Sequence, residues 1–117
     1  MKIVAKLRKA GPKQANSILT RGFRELFNGI RVRPLLEDER GIRAMVVEFD
    51  PGSCWVGGED VHESSAEEVY IASGVFNDGN RDYPAGTYIH MPRGSAHVPQ
   101  SKTGCTVFVF YPEGRHL

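Results

Sequence analysis

At 117 residues the chain has room for one domain, just large enough for a single core that needs no staple. Apolar residues at 40% and charged residues at 25% are the balance of an ordinary soluble globular protein. A net charge of +1 leaves no footprint for nucleic acid or an anionic membrane, and no apolar run approaches the length that spans a bilayer. The two cysteines, Cys54 and Cys105, lack metal-type spacing, and with no leader pattern they are expected as reduced thiols of a cytoplasmic protein.

In chain order, residues 1–29 are the least readable part. Lys2, Lys6, Arg8, Lys9 and Lys13 gather there without an aromatic platform, which suggests a solvated arm. Ala15, Ile18, Leu19, Phe23, Leu26 and Phe27 fit one helical face, yet Gly11, Pro12 and Gly22 interrupt it. The segment is either a short helix or an extended arm packing across a dimer.

From there the pattern changes to short strands. Ile30 to Leu36 ends in the polar turn Glu37-Asp-Glu-Arg-Gly41, and Ile42 to Phe49 follows as its hairpin partner. Asp50-Pro-Gly52 turns the chain into Cys54-Trp55-Val56 and the Gly57-Gly58 break. Glu67 to Phe76 comes next, closed by Asn77-Asp-Gly79-Asn80, then Thr87 to Met91 and finally Cys105 to Tyr111. Strands this short, with Gly/Pro turns and little helix, predict an all-β sandwich or jelly-roll barrel over residues 30–112, with 113–117 as a tail. The last strand is apolar on both faces, so one face fills the barrel and the other needs cover from a second sheet or a partner subunit. Trp55, Phe108 and Phe110 are expected in the core first and as pocket walls second.

Two segments carry groups that can ligate a metal. Asp60-Val-His62 places the carboxylate and imidazole on one strand face, because residues two apart point the same way. Glu67 is an odd number of positions beyond His62, so the Ser64-Ser65 pair must turn the chain before Glu67 can face back. Along its strand Glu67, Val69 and Ile71 would then point inward, with Glu68 and Tyr70 outside. His97 comes from a distant stretch in which Pro92 ends a strand and Gly94 permits a tight bend. Each also has a plain reading: Asp60 as a turn residue, His62 as a surface histidine, Glu67 as half of an exposed pair with Glu68. His90 shares a strand face with Tyr88 and reads as a packed or edge histidine.

Two imidazoles plus carboxylate oxygens suit Fe(II), Mn(II), Ni(II), Zn(II) or Co(II), and binding should weaken as pH falls through the imidazole range. Two histidines with one carboxylate is the donor set of non-haem iron oxygenases.

The stretches Gly52 to Gly74 and Gly86 to Ser101 resemble the paired motifs of the cupin superfamily. In detail, Pro51-Gly-Ser, Glu67-Glu-Val-Tyr-Ile-Ala-Ser-Gly and Asp82-Tyr-Pro-Ala-Gly-Thr-Tyr, with Pro92-Arg-Gly-Ser-Ala-His97, are similar to the ChrR-like cupins. The resemblance covers about residues 30–111. It implies a jelly-roll β-barrel, often a homodimer, with a divalent metal near the barrel mouth. The usual ligands of that family are His-x-His, a Glu a few residues on, and the histidine of the second motif. By position these become Asp60, His62, Glu67 and His97, with aspartate standing where histidine is usual. If Asp60 coordinates, two negative ligands neutralise an M(II) ion. If it does not, three ligands remain and a water enters.

The resemblance implies a metal-dependent enzyme, in the first place an Fe(II) dioxygenase acting beside the carbonyl of a small diketone or hydroxyketone. His62, Glu67 and His97 would hold the metal, with Asp60 as a fourth ligand or a general base. An isomerase or lyase with a redox-inert metal is a variant. The alternative is a sensory or ligand-binding cupin without turnover, like the cupin domain of an anti-sigma factor.

Overall fold

The computed structural model describes residues 22–57, 60, 61 and 65–117, with the backbone alone at 60 and 61. Eleven strands run in chain order: β1 Arg24–Phe27, β2 Ile30–Asp38, β3 Gly41–Phe49, β4 Ser53–Cys54, β5 Asp60–Val61, β6 Glu67–Asn77, β7 Asp82–Pro84, β8 Tyr88–Met91, β9 Ala96–His97, β10 Gln100–Ser101 and β11 Cys105–Arg115. Nine of them form one sheet in the order β1-β2-β3-β11-β6-β10-β4, with β7 and β8 also on β6. β5 and β9 pair separately. Every pairing is antiparallel, and the sheet curls into a half-barrel of jelly-roll type.

Period-2 alternation decides which side chains fill it. Ile30 and Val32 of β2, Met45, Val47 and Phe49 of β3, Val69 and Ile71 of β6, and Val107, Val109 and Tyr111 of β11 are buried together. On β6 the expected division is seen: Glu67, Val69 and Ile71 are inside, while Tyr70 is exposed. Pro34 sits within β2 although it has no N–H to give the ladder, and the register with β3 shifts right beside it, between Pro34 and Leu36.

The N-terminal arm shows its last residues as a strand. β1 turns through Gly29 onto β2, and Leu26 and Phe27 pack against the core. Ala15, Ile18 and Leu19 lie outside the described residues. At the other end β11 continues past the expected Tyr111 as far as Arg115, with Arg115 paired to Ile42 of β3.

The outer face of the sheet corrects one expectation. Phe108 is 39% exposed rather than in the core, because Cys105, Val107, Val109 and Tyr111 hold the inward parity of β11. Register places Arg33, Val46, Phe108, Tyr70 and Tyr88 in one row across β2, β3, β11, β6 and β8. Directly opposed residues share a face, so this row is a contiguous aromatic stripe with a cation at one end.

Glycine is required sterically at Gly74, as at Gly41 and Gly114. Gly74 has φ 75°, and a Cβ there would stand 2.1 Å from the Gly104 carbonyl oxygen. It lies where β6 and β11 lose register between Thr106 and Val107, so backbone touches backbone. Gly74→Ala is expected to destabilise the fold by about 3 kcal/mol or more, through left-handed strain plus the clash. Thermal unfolding followed by circular dichroism checks this; an unchanged midpoint would show that the bulge relaxes freely.

Candidate metal centre

Glu67 opens β6 with its backbone held on two sides. Ala66 N–H donates to Glu113 Oε1 at 3.2 Å, and Glu113 N–H donates to Ser65 Oγ at 3.2 Å, lacing this end of β6 to β11. In the ladder Glu67 faces Met91 of β8. On its other side Val109 pairs with Val69 and Phe110 with Glu68, which brings Tyr111 next to Glu67. His97 arrives as the sequence suggested: β8 stops at Pro92, Ser95 N–H donates to the Pro92 carbonyl at 3.0 Å, and Gly94 takes φ 85°. β9 follows at once.

Both side chains are buried, Glu67 at 5% and His97 at 6% exposure, and His97 Nε2 lies 4.0 Å from Glu67 Oε1. They line one cavity of about 50 Å³ together with Tyr111, Arg115 and apolar residues such as Val69 and Phe76. A buried carboxylate needs compensation. The Tyr111 hydroxyl donates to Glu67, and the Arg115 guanidinium in turn reaches the Tyr111 oxygen. Burial first, then the Glu67 charge, hold the phenol protonated well above its ordinary range, against the opposing pull of Arg115.

The last turn of β11 is pinned from behind. Arg43 donates through Nε to the Tyr111 carbonyl at 3.1 Å and through Nη2 to the Pro112 carbonyl at 2.7 Å. Its Nη1 donates to Asp38 Oδ2 at 2.8 Å. The Arg40 amide first, and then Arg43, hold Asp38 below the usual carboxylate range. These bonds fall where the β11–β3 register is broken between Phe110 and Arg115, and they replace ladder bonds missing there.

Of the four expected ligands, the structure brings Glu67 and His97 together. Asp60 is the backbone partner of His97 across β5 and β9, which places its strand at the same point of the barrel. His62 lies outside the described residues, as does the Asp60 side chain. Among the described residues no group of three His, Cys, Asp or Glu side chains is assembled.

The pair itself fits a divalent metal. Two donors each about 2.1 Å from a shared ion stand about 3.0–3.4 Å apart at octahedral or tetrahedral angles, so the pair, 4.0 Å apart without an ion, closes onto one with a side-chain shift of under about 1 Å. A neutral imidazole and a carboxylate are also the donor chemistry that Fe, Mn, Co, Ni and Zn accept.

Other candidates fall elsewhere. His90 is on the outer face, its Nδ1 2.5 Å from Glu68 Oε2, and Tyr88 donates to the other Glu68 oxygen. The Tyr88 bond, then His90, lower the Glu68 pKa, and the same bond raises that of Tyr88. Trp55 is a cavity wall, edge-on to Phe27 with centroids 4.3 Å apart. Cys54 and Cys105 are free thiols, and burial pushes Cys105 up to about 11, which keeps it unreactive. Sequence reasoning missed Tyr111 and Arg115. Tyr111 shares the parity of Val107 and Val109 and could have been found that way; the Pro112-Glu-Gly114 stretch hid Arg115 by looking like the end of a strand.

The sheet order, the curl and a carboxylate and imidazole at one buried point define a small β-barrel protein with a cavity inside. The ChrR Cupin-like domain family matches residues 15–113, and the chain belongs to that family. Among solved structures, an RmlC-like cupin from Shewanella frigidimarina NCIMB 400 is similar at TM-score 0.67 and 19% identity, over 83% of this chain and 87% of its own. A chain of the Rhodobacter sphaeroides SigE complex with the anti-sigma ChrR is similar at TM-score 0.62 and 19% identity. That match covers 74% of this chain but 46% of the other, so the present chain spans about half of it. A predicted oxalate decarboxylase from Thermotoga maritima gives TM-score 0.60 at 22% identity, over 78% and 90% of the two chains. At these identities the likeness is one of fold. No curated protein sequence matches the chain.

Tyr111→Phe removes the donor facing a buried carboxylate. The metal-free protein is expected to lose about 1–3 kcal/mol of stability. Urea unfolding measures it, and a change below about 0.5 kcal/mol would mean the bond contributes nothing net.

Proposed function

We propose that this chain is a metal-binding cupin acting on a small organic substrate with a carbonyl group, as an Fe(II)-dependent dioxygenase. The observation that carries the reading is the buried Glu67–His97 pair facing one cavity, with the Asp60 strand paired to His97. Glu67 and His97 would hold the metal together with His62, and Asp60 would serve as a fourth ligand or a general base. A divalent metal bound there supplies Lewis acidity to a carbonyl oxygen and, if it is iron, a binding position for dioxygen.

The protein's own groups do the rest. Tyr111 orients the Glu67 carboxylate by hydrogen bond. The apolar walls exclude bulk water, which strengthens every charge interaction inside. The cavity holds about three to five waters at about 10–15 Å³ each, so it suits a substrate of few heavy atoms.

The test begins with elemental analysis of purified protein, where about one divalent ion per chain is expected. Glu67→Gln, His97→Ala and His62→Ala should each weaken binding about 100-fold, taking about 10–16 kcal/mol of site energy shared over four ligands. Asp60→Ala separates its roles: unchanged occupancy would remove it from the metal. Oxygen uptake with β-diketones and α-hydroxyketones then decides the reaction. Bound zinc without turnover would favour the sensory reading, and no metal at all would sink the enzyme reading and leave a metal-free ligand-binding cupin.

A homodimer through the outer sheet face belongs to the same proposal. A two-fold axis along β11 would set the Arg33 end of the stripe against the Tyr88 and Glu68 end of the second copy, and Val46 against Tyr70. Cation then meets phenol and carboxylate, and the exposed aromatics are covered. Phe108→Glu should convert the dimer to a monomer in sedimentation velocity; a wild-type monomer would refute this part.

A further inference from the structure

Arg115 is the last residue of β11 and, beyond the break in that strand's alternation, pairs with the core residue Ile42 of β3. It is half-buried, its guanidinium carbon lies 5.8 Å from the centroid of the Tyr111 ring, and it lines the same cavity as Glu67 and His97. Among the described lining residues it is the one fixed cation, in a wall otherwise made mostly of aliphatic and aromatic carbon.

With nothing in the cavity, the Glu67 and Arg115 charges offset each other through the Tyr111 hydroxyl. A divalent ion held by Glu67 changes that balance. Two positive charges are then in excess, or one if Asp60 also coordinates. In a low-dielectric cavity such an excess is costly unless an anion enters. The planar guanidinium has five donors in a fork that matches a carboxylate, so it can reach the phenol and still receive a second partner.

We propose that Arg115 anchors a substrate carboxylate, so that this cavity takes a small oxo acid in preference to a neutral diketone. The inference rests on the metal-binding reading above. The carbonyl end of the ligand lies toward Glu67 and His97, and the carboxylate end toward Arg115. Arg115 touches the substrate and sets specificity by charge and by its fork geometry; the neighbouring Tyr111 links it to Glu67.

The test uses the full chain loaded with Zn(II), which cannot turn over an oxygen-dependent reaction. Calorimetry compares pyruvate with butane-2,3-dione, two small ligands of equal heavy-atom count, alike except that a carboxylate stands where the diketone has a second acetyl group. The oxo acid is expected to bind about 10- to 100-fold more tightly, the range of a charge-assisted hydrogen-bonded pair. Arg115→Gln should abolish that preference, and because it also removes the guanidinium behind the Tyr111 phenol, the deciding readout is the ratio of the two affinities in each variant. Arg115→Lys keeps the charge without the fork and should retain part of the preference, which keeps the test open if the glutamine variant folds poorly. Equal affinity for the two ligands in the wild type, or a glutamine variant that weakens both alike, overturns the inference. Metal content, read first, separates the two failures. A chain that takes up no Zn(II) refutes the metal-binding reading and this inference with it, whereas one that takes up Zn(II) but shows no preference refutes this inference alone.

Discussion

A carboxylate 5% exposed inside an apolar barrel is the constraint around which the interior is arranged. Water cannot stabilise Glu67, so protein groups must. Tyr111 donates to it, Arg115 stands behind the phenol, and His97 lies 4.0 Å away. Each of these comes from a different part of the chain, so the carboxylate is tolerable only when β6, β9 and β11 are all in place. A misplaced strand would leave a buried charge uncompensated, a penalty larger than the loss of any single apolar contact.

That dependence explains the effort spent on the end of β11. Its register with β3 breaks after Phe110, at a point where a free strand end would fray. Arg43 takes the Tyr111 and Pro112 carbonyls, while Ser65 and Glu113 lace the same segment to the start of β6. The result is a rigid frame for Glu67, Tyr111 and Arg115 made from side-chain bonds where the ladder itself is interrupted. Gly74 does the complementary task further along β6, allowing the backbone approach that lets the sheet change register and curl.

Alternation divides the molecule between two uses. Inward positions of β6 and β11 make the cavity, and outward positions of the same strands make the aromatic stripe of Tyr70, Tyr88 and Phe108. The likeness to an RmlC-like cupin, an anti-sigma complex and a predicted oxalate decarboxylase shows how one barrel serves proteins described in very different terms. Function therefore has to be argued from the groups inside this barrel rather than from the barrel.

Much of this was readable residue by residue. Period-2 patterning put Glu67, Val69 and Ile71 on one face, Pro92 and Gly94 marked the turn before His97, and the hairpin around Gly41 was plain. Phe108 was misread because an apolar run on both faces says nothing about which parity is inside until the neighbouring strands are known. The short strands Asp82–Pro84, Ala96–His97 and Gln100–Ser101 escaped notice because two or three residues carry no periodicity.

The amino-acid sequence by itself determined the all-β class, the family likeness and the inward side of β6, since these follow from local alternation, turn chemistry and motif spacing. Only the tertiary structure decided that Tyr111 and Arg115 join Glu67 and His97 in one cavity. Register across β6, β11 and β3 sets that meeting, and register is a property of paired strands that no single strand encodes.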